Sequence, residues 1–310
     1  MLVLQSGLMK SGNYWLYQIL QEIIREAGIE NKNFIANDPI QAAAQTWDLS
    51  FPEQATLNQI HMTPRGITYK IGNIFEMPIT DIDAYLARNT HVWTHADIND
   101  ITLEVLPKFD KIVYIVRDPR DVLISWANFW FTPYRKKFTP IFVETPEQQL
   151  ENHLVSRMDI WQKEVLNYLM VSQECNIYVL FYENLLADFQ QELSGLLNYL
   201  EIDLDEAARE VIEHNTSFNE MKKTSPHHLR KGASYKWVSK LSDEQKKRSL
   251  RIAGDLIELL GYPTGENDID KLPSLERVTP EKLGKIHARI NHQPLKERVK
   301  SGLINVIRKL

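Results

Sequence analysis

The run "KIVYIVRDP", Lys111–Pro119, limits the fold more than any other part of the chain. It is apolar, β-branched and unbroken, which suits a strand covered on both faces, as in a parallel sheet. Pro119 then opens a helix at its first turn. "NIYVLFYEN" (Asn176–Asn184) repeats the strand-then-helix pattern, and Met1–Leu4, Gly66–Gly72 and the weaker Thr90–Asp97 are further strand candidates. Between the strands, Trp15 to Ala27 places Leu16, Ile19, Leu20, Ile23 and Ile24 on one helical face, with Gly28 as the stop. Strands alternating with helices predict an α/β fold: a single parallel β-sheet flanked by helices, with ligands at the carboxyl ends of the strands.

The chain has 310 residues, 43% of them hydrophobic, enough for one large core, or one domain with an appendage. A net charge of −5 argues against nucleic acid as a partner. One cysteine, Cys175, excludes an intrachain disulfide and a Cys-rich metal site. No leader segment is evident, and no run reaches the roughly 18 apolar residues of a membrane span, so a cytoplasmic protein is expected. Beyond Pro273 and Pro280 the character changes. Glu281 to Leu310 is basic, with Leu295, Val299, Leu303, Ile307 and Leu310 at helical spacing. The expected organisation is therefore a domain at 1–262 and a helical extension at 263–310. The apolar stripe of that extension suits packing on its own domain or on a second copy better than a membrane surface.

Three segments carry chemistry. "SGLMKSGNYW", Ser6–Trp15, lies between a strand and a helix, where backbone N–H groups bind anions and glycines let the main chain approach. Its Lys10 and Ser11 precede Gly12, whereas the common nucleotide loop ends Gly-Lys-Ser/Thr. "YIVRDPRDVLISW" puts Arg117 at a strand end and Ser125 eight residues on, along the next helix. A guanidinium and a hydroxyl placed so can hold a phosphate, although Arg117 could instead pair with Asp118 or Asp121. "LRKGASYKW" supplies Arg230, Lys231 and Gly232, a basic loop that could also be plain solvated surface.

Together these segments resemble the PAPS-dependent sulfotransferases of the cytosolic type, PAPS being 3′-phosphoadenosine 5′-phosphosulfate. "MKSGNYW" resembles the family loop Pro-Lys-Ser-Gly-Thr-Thr-Trp, "YIVRDPRDVLISW" its 3′-phosphate element, and "RKGASYKW" its Arg-Lys-Gly-x-x-Gly-Asp-Trp signature. "LFYENL" (Leu180–Leu185) and "NTSFNEMKK" (Asn215–Lys223) follow in family order, so the likeness runs from about Met1 to Gly261. The resemblance implies a P-loop-like sulfotransferase fold. It implies Lys10, Ser11, Gly12, Asn13 and Tyr14 around the 5′-phosphosulfate, and Arg117, Ser125 and Arg230–Gly232 around the 3′-phosphate. Trp15 would stack on adenine, with Tyr182, Thr216, Ser217, Phe218 and Met221 lining the nucleoside. The product would be adenosine 3′,5′-bisphosphate, and no metal is implied.

Sulfuryl transfer puts negative charge on the oxygen bridging phosphorus and sulfur, so Lys10 is the expected stabiliser. The acceptor needs a base of near-neutral pKa. His95, in "VWTHAD", matches the family's Lys-Thr-His motif, with Trp93 where that motif has lysine. Lys10, His95 and Ser125 form the expected catalytic set, and His61, placed on a loop, is a rival base. Other departures are Met9 for proline, Asn13-Tyr14 for two threonines, and Tyr235-Lys236 for Gly-Asp. The acceptor pocket is expected from Asn33–His61, Gly72–Leu86 and the aromatic run Trp126–Phe138, dense in Trp126, Phe129, Trp130, Phe131 and Tyr134. These suit a small-molecule, lipid or sugar acceptor. Two alternatives stand beside this reading: a P-loop kinase or phosphohydrolase with Asp118 on Mg²⁺, and a protein that binds PAPS or its product without turnover.

Overall fold

The computed structural model describes residues 1–225 and 232–291. Arg230, Lys231 and the stripe Leu295, Val299, Leu303, Ile307 and Leu310 therefore lie outside the described residues. Seven strands form one sheet: β1 (Val3–Ser6), β2 (Gln59–Thr63), β3 (Gly66–Ile71), β4 (Phe75–Pro78), β5 (His91–Thr94), β6 (Lys111–Val116) and β7 (Ile177–Phe181). Their order is β4-β3-β2-β5-β1-β6-β7. The five strands from β2 to β7 in that order pair in parallel. β3 is antiparallel to both β2 and β4, so the sheet is mixed and only β3 runs against the rest.

Side chains leave the central strands alternately into two cores, as the pleat requires. On β6, Ile112, Tyr114 and Val116 enter one core, and Val113 and Ile115 enter the other. The first core is covered by the helix Pro146–Cys175, through Trp161, Val165, Leu166 and Tyr168. The second is covered by the helix Asn13–Glu26, through Leu16, Ile19, Leu20 and Ile23. The result is three layers, with β1 and β6 buried on both faces.

Past residue 262, the helix Pro280–Asn291 buries Leu283, Ile286 and Ile290 in the same core as the sheet. Among the described residues, no helix is long and apolar enough to cross a membrane, and no group of three or more His, Cys, Asp or Glu could hold a metal ion.

Candidate active site

Four neighbouring parallel strands, β5, β1, β6 and β7, deliver their carboxyl ends to one cavity of about 210 Å³. The loop after β1 contributes Lys10, Gly12 and Asn13; β5 is followed by His95, β6 by Arg117, and β7 by Tyr182.

The loop after β1 is shaped by a turn that the Ser11 N–H closes onto the Leu8 carbonyl at 3.0 Å. Lys10 sits in that turn at φ 79°, in the left-handed region that side chains with a Cβ rarely occupy. Gly12, at φ 106°, turns the chain into the helix; a Cβ there would stand 2.6 Å from the Tyr182 ring. The helix Asn13–Glu26 has no side-chain cap on its first turn. Asn13 donates to the Leu8 carbonyl instead, at 2.8 Å. The N–H groups of that turn thus meet the cavity with the positive end of the helix dipole behind them. The Lys10 ammonium lies 4.4 Å from the centre of the Phe129 ring. Tyr14 is turned into the wall, where its hydroxyl meets Ser225 Oγ at 3.0 Å and donates to Glu53 at 3.1 Å. Burial pushes its pKa up to about 12.

The second grip stands at the end of β6. Arg117 is 6% exposed, and its guanidinium carbon stands over the Tyr182 ring, 4.0 Å from its centre. It donates to the Ala233 carbonyl at 3.1 Å and to the Lys10 carbonyl at 3.4 Å, which ties the two grips together. Its Nε–H is buried and lacks a partner among the described residues. The ion pair from Arg117 goes to Asp121, at 3.6 Å; Asp118 is taken by Arg120 and caps the helix Pro119–Phe129. Burial raises the Asp121 carboxyl to about 6; Arg117 pulls it down and Asp118 pushes it up. Asp121, Ile124, Ser125 and Asn128 face the cavity at the i, i+3, i+4, i+7 spacing of one helix face.

His95 stands just beyond β5. Its Nδ1 is 2.6 Å from the Gly7 carbonyl. A carbonyl can only accept, so Nδ1 carries the proton and Nε2 keeps its lone pair. Burial lowers the imidazole to about 4; the Gly7 bond opposes the shift, and Lys10 and His61 add to it. His61 lies on β2, paired with Thr68, rather than on a loop, and it does not line the cavity. Trp93 is 5% exposed, edge-on to His95 at 5.4 Å and stacked on Phe51 at 6.5 Å.

Of the residues expected from the sequence, Lys10, Gly12, Asn13, Tyr14, Trp15, His95, Arg117, Ser125, Tyr182, Phe218 and Gly232 meet at this cavity. Gly232 lies so close to Phe218 that a Cβ would enter the ring. Ser11, Thr216, Ser217 and Met221 do not line it. Thr216 Oγ1 donates to the Ile212 carbonyl, Ser217 caps the helix Phe218–Thr224, and Met221 is 4% exposed in the core. Within the aromatic run, Phe129 and Tyr134 line the cavity, whereas Trp126 packs in a core with Trp237. Gln54, Asn128 and Arg135 also line the cavity, within stretches expected to shape the acceptor side though not singled out there; Asp121, weighed only as an ion-pair partner of Arg117, and Lys236, noted only as a departure from the family signature, line it as well. Asp121 and Asn128 could have been found by extending the Ser125 face one turn each way.

Lys10 and Arg117 lining one cavity with the rings of Trp15, Tyr182 and Phe218 suit a flat base that carries anionic groups. The comparisons agree with that geometry. A family profile described as the sulfotransferase domain matches residues 3–261. Sulfotransferase 1A1 of Mus musculus is 24% identical over 224 residues, covering 71% of this chain and 66% of that protein. The rabbit (Oryctolagus cuniculus) amine sulfotransferase is 26% identical over 160 residues, covering 46% and 52%. The chain therefore spans slightly less than two thirds of the mouse relative's length. Mouse sulfotransferase SULT7A1, solved with PAP, shares the fold at a TM-score of 0.55 and 21% identity, with 83% of each chain covered. A retinol dehydratase solved with androsterone and PAP gives 0.55 at 17% identity, covering 83% of this chain and 80% of that one. With residues 3–261, well over half of the chain, matched by that profile, this chain belongs to the sulfotransferase family.

Proposed function

We propose that this chain moves the sulfuryl group of PAPS to a hydroxyl or amine of a small-molecule, lipid or sugar acceptor and releases adenosine 3′,5′-bisphosphate. The observation that carries this reading is the meeting of Lys10, Arg117 and His95 in one cavity. Bound there, PAPS would supply an activated sulfur joined to a phosphate leaving group. The uncapped helix start and Lys10 would hold the 5′ end, with Ser11, Asn13 and Tyr14 shaping the loop. Arg117 and Ser125 would hold the 3′-phosphate, supported by Gly232 and by Arg230 and Lys231. Trp15, Tyr182 and Phe218 would flank the base, with Thr216, Ser217 and Met221 behind them.

In this reading His95 Nε2 takes the proton of the acceptor as its oxygen or nitrogen joins sulfur. Lys10 stabilises the charge that grows on the departing oxygen. No metal is needed for either task. Trp93 gives the acceptor side an aromatic wall in place of a third cation. We read 1–262 as the sulfotransferase domain, 263–310 as an extension that docks on it or on a second copy, and the protein as cytoplasmic.

The test is labelled sulfuryl transfer from PAPS to a panel of phenols, alcohols and amines with EDTA present, run beside calorimetry with adenosine 3′,5′-bisphosphate and ATP. Transfer that survives EDTA, and a preference for the bisphosphate, are expected. His95→Ala should abolish transfer and leave bisphosphate affinity unchanged. Preference for ATP, or full activity in His95→Ala, would overturn the reading or the base assignment respectively.

A further inference from the structure

The cavity is far more basic than the chain. Its lining holds four cationic residues, Lys10, Arg117, Arg135 and Lys236, against one carboxylate, Asp121, in a protein of net charge −5. The nucleotide reading uses Lys10 and Arg117, and Lys236 stands by Asp121 at the Arg117 end, where it lowers that carboxyl. Arg135 is left without a task.

Its setting is unusual for an arginine. It lies on the short helix Pro133–Phe138. The guanidinium carbon is 4.2 Å from the centre of the Trp130 ring and 5.5 Å from that of Phe129. Phe129 is the ring that also carries the Lys10 ammonium, so Arg135 stands next to the reacting end of the cavity rather than at the Arg117 end. The neighbouring Tyr134 accepts from the Asn73 N–H at 2.9 Å, which fixes this helix against the turn after β3. Arg135 Nε is buried with no hydrogen-bond partner among the described residues, and burial lowers the guanidinium against the pull of Tyr134. Behind it, Arg157 lies over Trp126 at 4.0 Å, and Trp126 meets Trp130 edge-on at 5.6 Å. Burial and Arg135 together lower Arg157 to about 10. Two guanidiniums close enough to repel, pressed on aromatic faces and with no carboxylate pulling on either among the described residues, form a site that an anion would complete.

We propose that the acceptor of this chain carries a carboxylate, held by Arg135 with Arg157 behind it. The outer Nη groups of the guanidinium can donate to a carboxylate, and Arg135 shares the Phe129 ring with Lys10, so the acceptor's nucleophilic group can reach the sulfur while its charge stays on Arg135. This inference rests on the sulfotransferase reading, and its test separates the two.

Protein saturated with adenosine 3′,5′-bisphosphate is titrated calorimetrically with para-hydroxyphenylacetate and with its uncharged amide. The carboxylate should bind roughly 10- to 100-fold more tightly, the range for a hydrogen-bonded charge pair. Arg135→Gln should erase that preference without changing bisphosphate affinity, and Arg135→Lys should keep part of it. Equal or better binding of the amide, no binding of either probe, or a preference that survives Arg135→Gln overturns the proposal. Weakened bisphosphate binding in Arg135→Gln also overturns it, by moving the residue into the nucleotide site. Failure of the unaltered protein to bind the bisphosphate would instead remove the sulfotransferase reading beneath it.

Discussion

At the scale of single residues, the site works by denying groups their usual partners. Arg117 is nearly buried, yet its carboxylate neighbour stands 3.6 Å away and is itself pushed up to about 6, so the pair is loose. A loose internal pair can yield to an incoming phosphate, whereas the closed Asp118–Arg120 pair at 2.6 Å cannot. Arg117→Gln separates these roles. The bisphosphate should lose about 10- to 100-fold in affinity, as expected for a charged hydrogen-bonded contact. AMP, which has no 3′-phosphate, should lose little. The ratio of the two dissociation constants is the readout, with thermal unfolding as a check that the variant folds. An unchanged ratio would place the 3′-phosphate elsewhere.

At the scale of elements, the helix Pro146–Cys175 aligns the strand ends. Trp161 donates to the Arg117 carbonyl at 3.0 Å, and the Tyr168 hydroxyl donates to the Ala96 carbonyl at 2.8 Å. Ser6 Oγ, at the end of β1, donates to the same Tyr168 oxygen at 2.8 Å, and the Tyr168 ring stacks on Tyr114 of β6 at 4.0 Å. One residue thus couples β1, β6 and the chain beside His95. Tyr168→Phe keeps the stack and orphans two buried groups, which should cost ~1–3 kcal/mol. Urea unfolding should show that loss, and transfer rate should fall more than bisphosphate affinity because His95 is displaced while the grips remain. Equal losses in both would mean that Tyr168 only supports the core.

The sequence does not announce this helix: its polar and apolar residues are mixed along 30 positions, and its role depends on what crosses beneath it. β6 is legible because every residue after Lys111 is apolar and buried. β2 is not, since Gln59, His61 and Thr63 alternate with just two apolar residues, and β4 is an edge strand ending in Pro78. The proposed phosphate grips are legible for a related reason. A strand end followed by a helix is a local signature, visible in Lys10–Trp15 and Arg117–Ser125, whereas Gln54, Arg135 and Lys236 reach the cavity through contacts no local pattern encodes.

At the scale of the whole molecule, buried titratable groups tie distant segments together. Glu183, at the end of β7, accepts from the Asp118 N–H at 3.0 Å and from the Tyr262 hydroxyl at 3.2 Å, so it joins β6, β7 and the end of the family domain. Burial and then Asp118 push its carboxyl from 4.5 up to about 8, against the pull of Arg117. The sign of the effect on stability follows. Between pH 4.5 and 8 the folded chain holds a proton at Glu183 that the unfolded chain has released, so folding gains from acid and loses as pH rises through this window. The slope is about 1.4 kcal/mol per pH unit while the group stays protonated, fading near pH 8. His91 acts on the acid side in the opposite sense: burial lowers it to about 3, so below 6.5 the unfolded chain takes up a proton the folded one refuses. Above pH 7 the His91 effect has vanished and Glu183 stands clear of it. Glu183→Gln keeps the shape and an acceptor for the Asp118 N–H while removing the titration. Urea midpoints between pH 7 and 8.5 should fall with pH in the unaltered protein and flatten in the variant, by about 1 kcal/mol over that range. Parallel curves for the two proteins would show that Glu183 is ionised in the fold, with its charge carried by Arg117 across the junction of β6 and β7.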